Sequence, residues 1–260
     1  MFCQYDRHDS SEWLSTVRYC SQARIRLFCF PYAGSSSVIY RNWVNYFPES
    51  VEVCLIQLPA RGVRIHESPI QEFSVLIEAI TKALVPFLQQ PFAFFGHSLG
   101  GLVAFEVLHR LRVEYSLHPI HLFVSACAAP AYIRNQKVLS QLPNHELIAE
   151  LRQLQGTPDE LLDHEEIMSV LLPIVRSDFA LYESYESYYS EQQNRKPLEC
   201  SVTVLGGTED STVDMMKLPA WQEETYKPIT LSLIPGNHFF LHSAEALVLE
   251  CLAEKLLSFN

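Results

Sequence analysis

The stretch "PFAFFGHSLGGLVAFEV", residues 91–107, decides how the rest of the chain is read. Its first part, "FAFFG" (92–96), is short and apolar throughout, which suits a strand covered on both faces. Its last part opens "LGGLVAFEVLHRLR" (99–112), with apolar residues Leu102, Val103, Phe105, Val107 and Leu108 at helical spacing. Between them stands Gly96-His97-Ser98-Leu99-Gly100, a G-x-S-x-G pattern. Alone, that pattern is weak. Set directly between a strand and a helix, it reads as a nucleophile elbow, with the serine on a sharp turn that Gly96 and Gly100 make room for. The helix N-terminus then aims free N–H groups and its positive dipole end at any anion formed at Ser98.

The same alternation extends on both sides. "IRLFCFP" (25–31), "VEVCLIQL" (51–58) and "PIHLFVSAC" (119–127) read as buried strands, and "VIYRNWVNYF" (38–47) and "EFSVLIEAITKALVPFL" (72–88) as helices. Later, "CSVTVLGG" (200–207) and "ITLSLIPG" (229–236) are strands, with helical patterns in "MMKLPAWQEET" (215–225) and "SAEALVLECLAEKLLSF" (243–259). Apolar strands interleaved with helices imply an α/β fold, a mostly parallel central sheet flanked by helices. Residues 1–23 are polar and weakly patterned, a loosely held lead-in to a single domain over 24–260. From about 131 to 190 the rhythm breaks: "HELIAELRQL" (145–154), "PDELL" (158–162), "EEIMSVLLPIV" (165–175) and "DFALYESYESYYS" (178–190) are helical, with no strand among them. A helical insertion of this kind reads as a lid over a substrate pocket.

A serine hydroxyl needs a base, and the base needs a carboxylate to orient it. In elbow enzymes they follow in the order serine, acid, histidine, from loops at the carboxyl ends of the strands. His238 leaves the strand "ITLSLIP" through "GN" and is the expected base, with His242 four residues on as the alternative. In "VTVLGGTEDSTV", Asp210 is the expected acid and Glu209 the alternative. His97 is expected to pack and orient. The developing oxyanion needs two donors. One is the backbone N–H of Leu99; the other comes from the loop "FPYAGSSS" (30–37), with Ala33 first and Tyr32 second.

Composition narrows the setting. The chain has 260 residues, 48% of them hydrophobic, enough for a sizeable core, and a formal charge of −11, which repels a phosphate backbone and argues against nucleic acid as a partner. Seven cysteines are scattered singly, without metal-ligand spacing, and read as free thiols in a reducing compartment. With no run of 18 apolar residues and no basic-then-apolar leader, a cytoplasmic protein without membrane association or bound metal is expected.

The chain resembles the type II thioesterases of non-ribosomal peptide and polyketide synthesis, which belong to the α/β-hydrolases. The resemblance rests on "LFCFPYAGSSSVIYRNW", "VCLIQLPARG", "PFAFFGHSLGGLVAFEV", "LPNHELIAELRQLQGTP", "LLPIVRSDFALYESY", "VTVLGGTEDSTV" and "LIPGNHFFLH", and covers about residues 24–258. It implies Ser98, Asp210 and His238 as a catalytic triad and Ala33 and Leu99 as oxyanion donors. It also implies an acyl tunnel under the 131–190 lid. The substrate would be an acyl or aminoacyl group on the phosphopantetheine arm of an acyl or peptidyl carrier protein, cleared from a stalled synthase by a monomeric enzyme without a cofactor. The chain departs from the family at "LPARG", at Cys127, near which an arginine is common, at Asn237 and at Ser211, none of them a reacting group. The alternatives are a medium-chain fatty-acyl carrier-protein thioesterase, an acyltransferase, and a non-catalytic carrier-protein adaptor. Carrier docking is expected to use Arg134, Lys137 and Arg152 around the lid, or Arg61 and Arg64.

Overall fold

Phe28 stands beside Cys54 on one side and Phe94 on the other, and that register propagates through a twisted sheet. The computed structural model describes residues 12–16, 20–134, 137–192 and 195–259. The strands are β1 (Leu14–Thr16), β2 (Ile25–Phe30), β3 (Val51–Ile56), β4 (Phe92–His97), β5 (His121–Ser125), β6 (Ser201–Gly207) and β7 (Thr230–Ile234). They are ordered β1-β3-β2-β4-β5-β6-β7 in one sheet, and every pairing is parallel except β1 with β3. The α-helices are α1 (Phe73–Leu84), α2 (Leu99–Tyr115), α3 (Asn144–Leu154), α4 (Asp159–Leu162), α5 (Glu165–Glu191), α6 (Phe240–Ser243) and α7 (Glu245–Leu257).

Because successive strand residues face opposite sides, the apolar runs feed two cores. Phe28, Phe30, Phe94, Leu122 and Val204 pack with α1 and α2 on one face. Leu27, Cys29, Phe95, Phe123 and Leu205 pack on the other with α7 and with Tyr40 and Trp43 of the stretch Ser37–Asn45. A third cluster lies outside the sheet: Leu147, Leu151, Leu162, Met168, Leu172 and Val175 hold α3, α4 and the first half of α5 together. The two-sided layering is that of the expected α/β-hydrolase fold. No helix among the described residues is long and apolar enough to cross a membrane.

Four local readings differ. Part of the lead-in is ordered: β1 adds an antiparallel edge to β3, and Trp13 accepts a 2.9 Å hydrogen bond from Gln57 N–H. Three residues are too short to show a period. Residues 1–11 and 17–19, including Cys3, lie outside the described residues. Ser37–Asn45 and Met215–Glu224 are 3-10 rather than α-helical, the second containing Pro219. Finally, the two patterns at 165–175 and 178–190 fuse into one helix, α5, that carries Pro173 inside it. Its buried face continues past the proline, through Ser177 and Asp178: Met168 and Leu172 join the outer cluster, and Leu181 and Tyr185 join the main core.

Candidate active site

The order of the sheet reverses between β2 and β4, because the chain moves outward one way to β3 and the other way to β5. Loops leaving the carboxyl ends of strands diverge at such a point and leave a crevice. The loop after β2 carries Ala33, that after β4 carries Ser98, and those after β6 and β7 carry Asp210 and His238.

Ser98 has φ 54° and ψ −121°, a strained backbone for a residue with a side chain. Glycine neighbours make it possible: a Cβ on Gly96 would lie 2.2 Å from the Gly100 carbonyl oxygen, and one on Gly100 would lie 2.3 Å from that of Phe30. The turn projects the hydroxyl at His238, whose Nε2 is 3.0 Å from Ser98 Oγ. On the far side of the ring, His238 Nδ1 is 2.8 Å from Asp210 Oδ2. These three side chains thus form one continuous hydrogen-bonded chain, with Nδ1–H donating to the carboxylate and Nε2 left to accept from the hydroxyl.

Asp210 is anchored by more than the histidine. Its Oδ1 accepts from the Thr212 hydroxyl at 2.7 Å and from the N–H groups of Thr212 and Val213 at 2.8 and 3.1 Å. Burial pushes its pKa up, but the hydrogen bond and charge of His238, together with the Thr212 bonds, outweigh burial and hold the carboxyl below the ordinary value. The alternative acid, Glu209, is exposed and not part of the chain. His242 is likewise set aside: its Nε2 meets the Tyr32 hydroxyl at 2.9 Å.

His97 does pack and orient. Fully buried, it is pushed well below its ordinary pKa by desolvation and then by the nearby His238, so the ring is neutral. Nε2 lies 2.9 Å from the His238 carbonyl and must be the donor, and Nδ1 then accepts from the Ser125 hydroxyl at 2.9 Å. Through this one ring the end of β5 fixes the loop that carries His238. Leu99 opens α2, where the N–H groups have no intrahelical acceptor, and it lines the same cavity as Ala33. That cavity, about 560 Å³, reaches from Ser98 and His238 to Leu151 and Leu154 of α3 and Leu171, Val175 and Phe179 of α5. A second recess of about 690 Å³, walled by Arg134, Glu186, Arg195 and Glu224, contains none of the three linked side chains.

Residues 25–257 match the model of the thioesterase domain family. The chain belongs to the thioesterase family. It is similar to the gramicidin S biosynthesis protein GrsT of Aneurinibacillus migulanus, with 37% identity over 95% of this chain and 94% of the relative. It is also similar to the thioesterase PikA5 of Streptomyces venezuelae, with 32% identity over 90% of this chain and 82% of the relative. Among solved structures, the type II thioesterase BorB of the borrelidin biosynthetic cluster superposes with a TM-score of 0.86 at 31% identity, covering 95% and 98%. This thioesterase is therefore a serine hydrolase by family, and its fold is that of the α/β-hydrolases.

Two of the basic residues expected at a docking surface are not available for it. Arg61 is buried and bound to Asp178, and Arg64 is buried, pairs with Glu67 and stacks on the Trp13 ring at 4.1 Å. Lys137 pairs with Glu150, and Arg152 with Asp159 and Asp163, within the helical insertion of this thioesterase. Sequence reading missed Thr212, which stands two residues after the acid, where a hydroxyl and its N–H close back on an aspartate.

Proposed function

We propose that this thioesterase hydrolyses acyl or aminoacyl groups from the phosphopantetheine arm of carrier proteins, with Ser98 as nucleophile, His238 as general base and acid, and Asp210 as its orienting carboxylate. The observation that carries the reading is the unbroken Asp210–His238–Ser98 hydrogen-bond chain at the mouth of an apolar cavity. The substrate class draws on the relatives, whose names attach them to gramicidin S and borrelidin biosynthesis. His238 Nε2 takes the Ser98 proton as Oγ attacks the thioester carbonyl, and the N–H groups of Leu99 and Ala33 receive the oxyanion. The tetrahedral adduct collapses, breaking the C–S bond, and the pantetheine thiolate leaves with the proton returned by His238. Water, deprotonated by the same imidazole, attacks the acyl-serine and restores Ser98 while the carboxylic acid departs. The residues alone carry every step, without a metal or organic cofactor. The partner is a carrier domain in the cytoplasm, and the enzyme acts as a monomer.

A medium-chain fatty-acyl substrate is the second reading, because the cavity wall is mostly aliphatic and aromatic. Intact-mass spectrometry of carrier proteins loaded with short, aminoacyl and medium-chain groups separates the two. Ser98→Ala should slow release by about 10⁴-fold or more. Normal release by that variant would refute the assignment.

A further inference from the structure

The oxyanion loop is a tight turn with an unusual anchor. Ser35 N–H donates to the Tyr32 carbonyl at 3.1 Å, and the residue before it, Gly34, has φ 77°. A positive φ at the third position is the type II geometry, and what separates it from type I is the orientation of the central peptide, here Ala33–Gly34. The N–H of that peptide points at Asp178 Oδ2, 2.7 Å away. Asp178 belongs to α5, 144 residues further along the chain. The same carboxylate is gripped by the fork of Arg61, with Nη1 on Oδ2 at 2.6 Å and Nη2 on Oδ1 at 2.8 Å. Arg61 Nη1 also donates to the Ser35 carbonyl at 3.1 Å. One buried ion pair therefore holds both residues that follow Ala33, Gly34 by its N–H and Ser35 by its C=O.

Arg61 is itself fixed. Its Nε donates to the Pro59 carbonyl, its own carbonyl accepts from Gln57 Nε2 at 2.7 Å, and the flanking Ala60 and Gly62 have φ 66° and 57°. Val175, one turn before Asp178, fills the space a Gly34 side chain would need, its Cγ2 lying 2.9 Å from where the Cβ would sit. The side chains of Arg61 and Asp178 are 6% and 1% exposed, and neither lines the substrate cavity nor bonds to Ser98, His238 or Asp210. Burying such a pair gains little stability over an apolar pair of the same volume, because desolvation offsets the attraction. Orientation is what an apolar pair could not supply.

We propose that Asp178, clamped by Arg61, is a positioning residue for the oxyanion site: it sets the Tyr32–Ser35 turn so that the Ala33 N–H faces the reacting carbonyl. The proposal rests on the reading of Ala33 as an oxyanion donor. It makes the lid helix a support of the transition state as well as a wall of the acyl cavity. Misplacing one donor should cost rate without costing ground-state binding.

The test uses the full chain, an octanoyl N-acetylcysteamine thioester as substrate, and an octyl trifluoromethyl ketone, which forms an oxyanion when serine adds to it. Asp178→Asn preserves shape but breaks the charged fork; Arg61→Lys preserves charge but cannot hold Asp178 and Ser35 together. Each should lower kcat per folded molecule by roughly 10- to 100-fold with KM within about twofold, as expected for a displaced oxyanion donor. The ketone's inhibition constant should rise by the same factor as kcat/KM falls. Unchanged kcat and ketone affinity in the two variants, with only a lowered melting temperature, would make the pair purely structural and overturn the proposal. A raised KM at unchanged kcat would overturn it too. Ser98→Ala in the same assay separates the levels. If Ser98→Ala stays active, the site reading itself fails; if it is inactive while both positioning variants keep their kcat, only the positioning proposal fails.

Discussion

Asp210 stays ionised because four hydrogen bonds converge on it while its side chain is 1% exposed. On the proposed mechanism the transferred proton passes between Ser98 and His238, and the acid keeps its charge throughout. Asparagine at 210 would present the imidazole with an amide instead of a charge and leave the ring's tautomer unspecified. Asp210→Asn should lower kcat by roughly 10³- to 10⁴-fold with little change in KM, while Glu209→Gln should stay near the parent enzyme. Steady-state kinetics of the two variants checks the pair, and equal losses would mean that the acid had been misassigned. The carboxyl's depressed pKa also has a sign. Its stabilisation is complete above the ordinary aspartate value and is lost only as pH falls through the lower folded value, so the acid limb of activity does not report Asp210. At this scale the sequence was most legible where a residue must follow a strand. Ser98 and His238 could be read that way, and so could the pair Glu209/Asp210. Choosing within that pair needs the direction of a loop, which only Thr212 and Val213 reveal. Asp178 was hidden for a different reason: a lone acid among apolar residues of an amphipathic helix shows that something must meet it, but not that the partner is 117 residues away.

Two adjacent glycines in the elbow have different tasks, and their replacement should show it. A Cβ on Gly100 would press into backbone, 2.3 Å from the Phe30 oxygen and 2.6 Å from that of Pro31, so α2 could not stay so close to β2. On Gly101 the nearest atoms are those of the Cys127 side chain at 3.1 and 3.2 Å and the Gly96 carbonyl oxygen at 3.3 Å, a milder crowding of a few tenths of an ångström. Gly100→Ala should therefore cost ~3 kcal/mol or more, whereas Gly101→Ala should stay within about 1 kcal/mol of the parent, since alanine's better helix propensity offsets the crowding. Urea denaturation midpoints measure both, and comparable losses would contradict the packing described. The buried strands were legible as elements because each is apolar on both faces. The stretches 38–47 and 215–225 were not legible as 3-10 structure, since spacing of three and of four residues looks alike over nine or ten positions. Nor did the apolar pattern foretell that α5 would run through Pro173: the join is made by tertiary packing, with the outer cluster holding one half and the main core the other.

On the scale of the whole molecule, three interior histidines tie stability to pH. Desolvation lowers His97 well below its ordinary value. It brings His109 to about 2, helped by Arg195 and Arg112, and His121 to about 4, helped by Lys255 and Lys227. His109 Nε2 and His121 Nδ1 are buried without a hydrogen-bond partner, so protonating either ring would place a charge where nothing receives it. Each group's pKa is depressed by folding. The unfolded chain therefore takes up protons below about 6.5 that the folded chain refuses, and stability falls as pH drops from there towards the folded values. Half-buried His242 leans the same way, whereas Glu224, raised by burial, opposes it at lower pH. Between pH 7.5 and 5.0, where ordinary carboxylates remain ionised, the loss should be ~1–2 kcal/mol for each of the three histidines. Urea unfolding at the two pH values measures it. His121→Gln, which keeps a polar group within reach of the Thr203 hydroxyl now 2.8 Å from Nε2, should remove about a third of the slope. A slope that is flat in the parent, or unchanged in that variant, would show that these rings are not what the folded chain protects from protons.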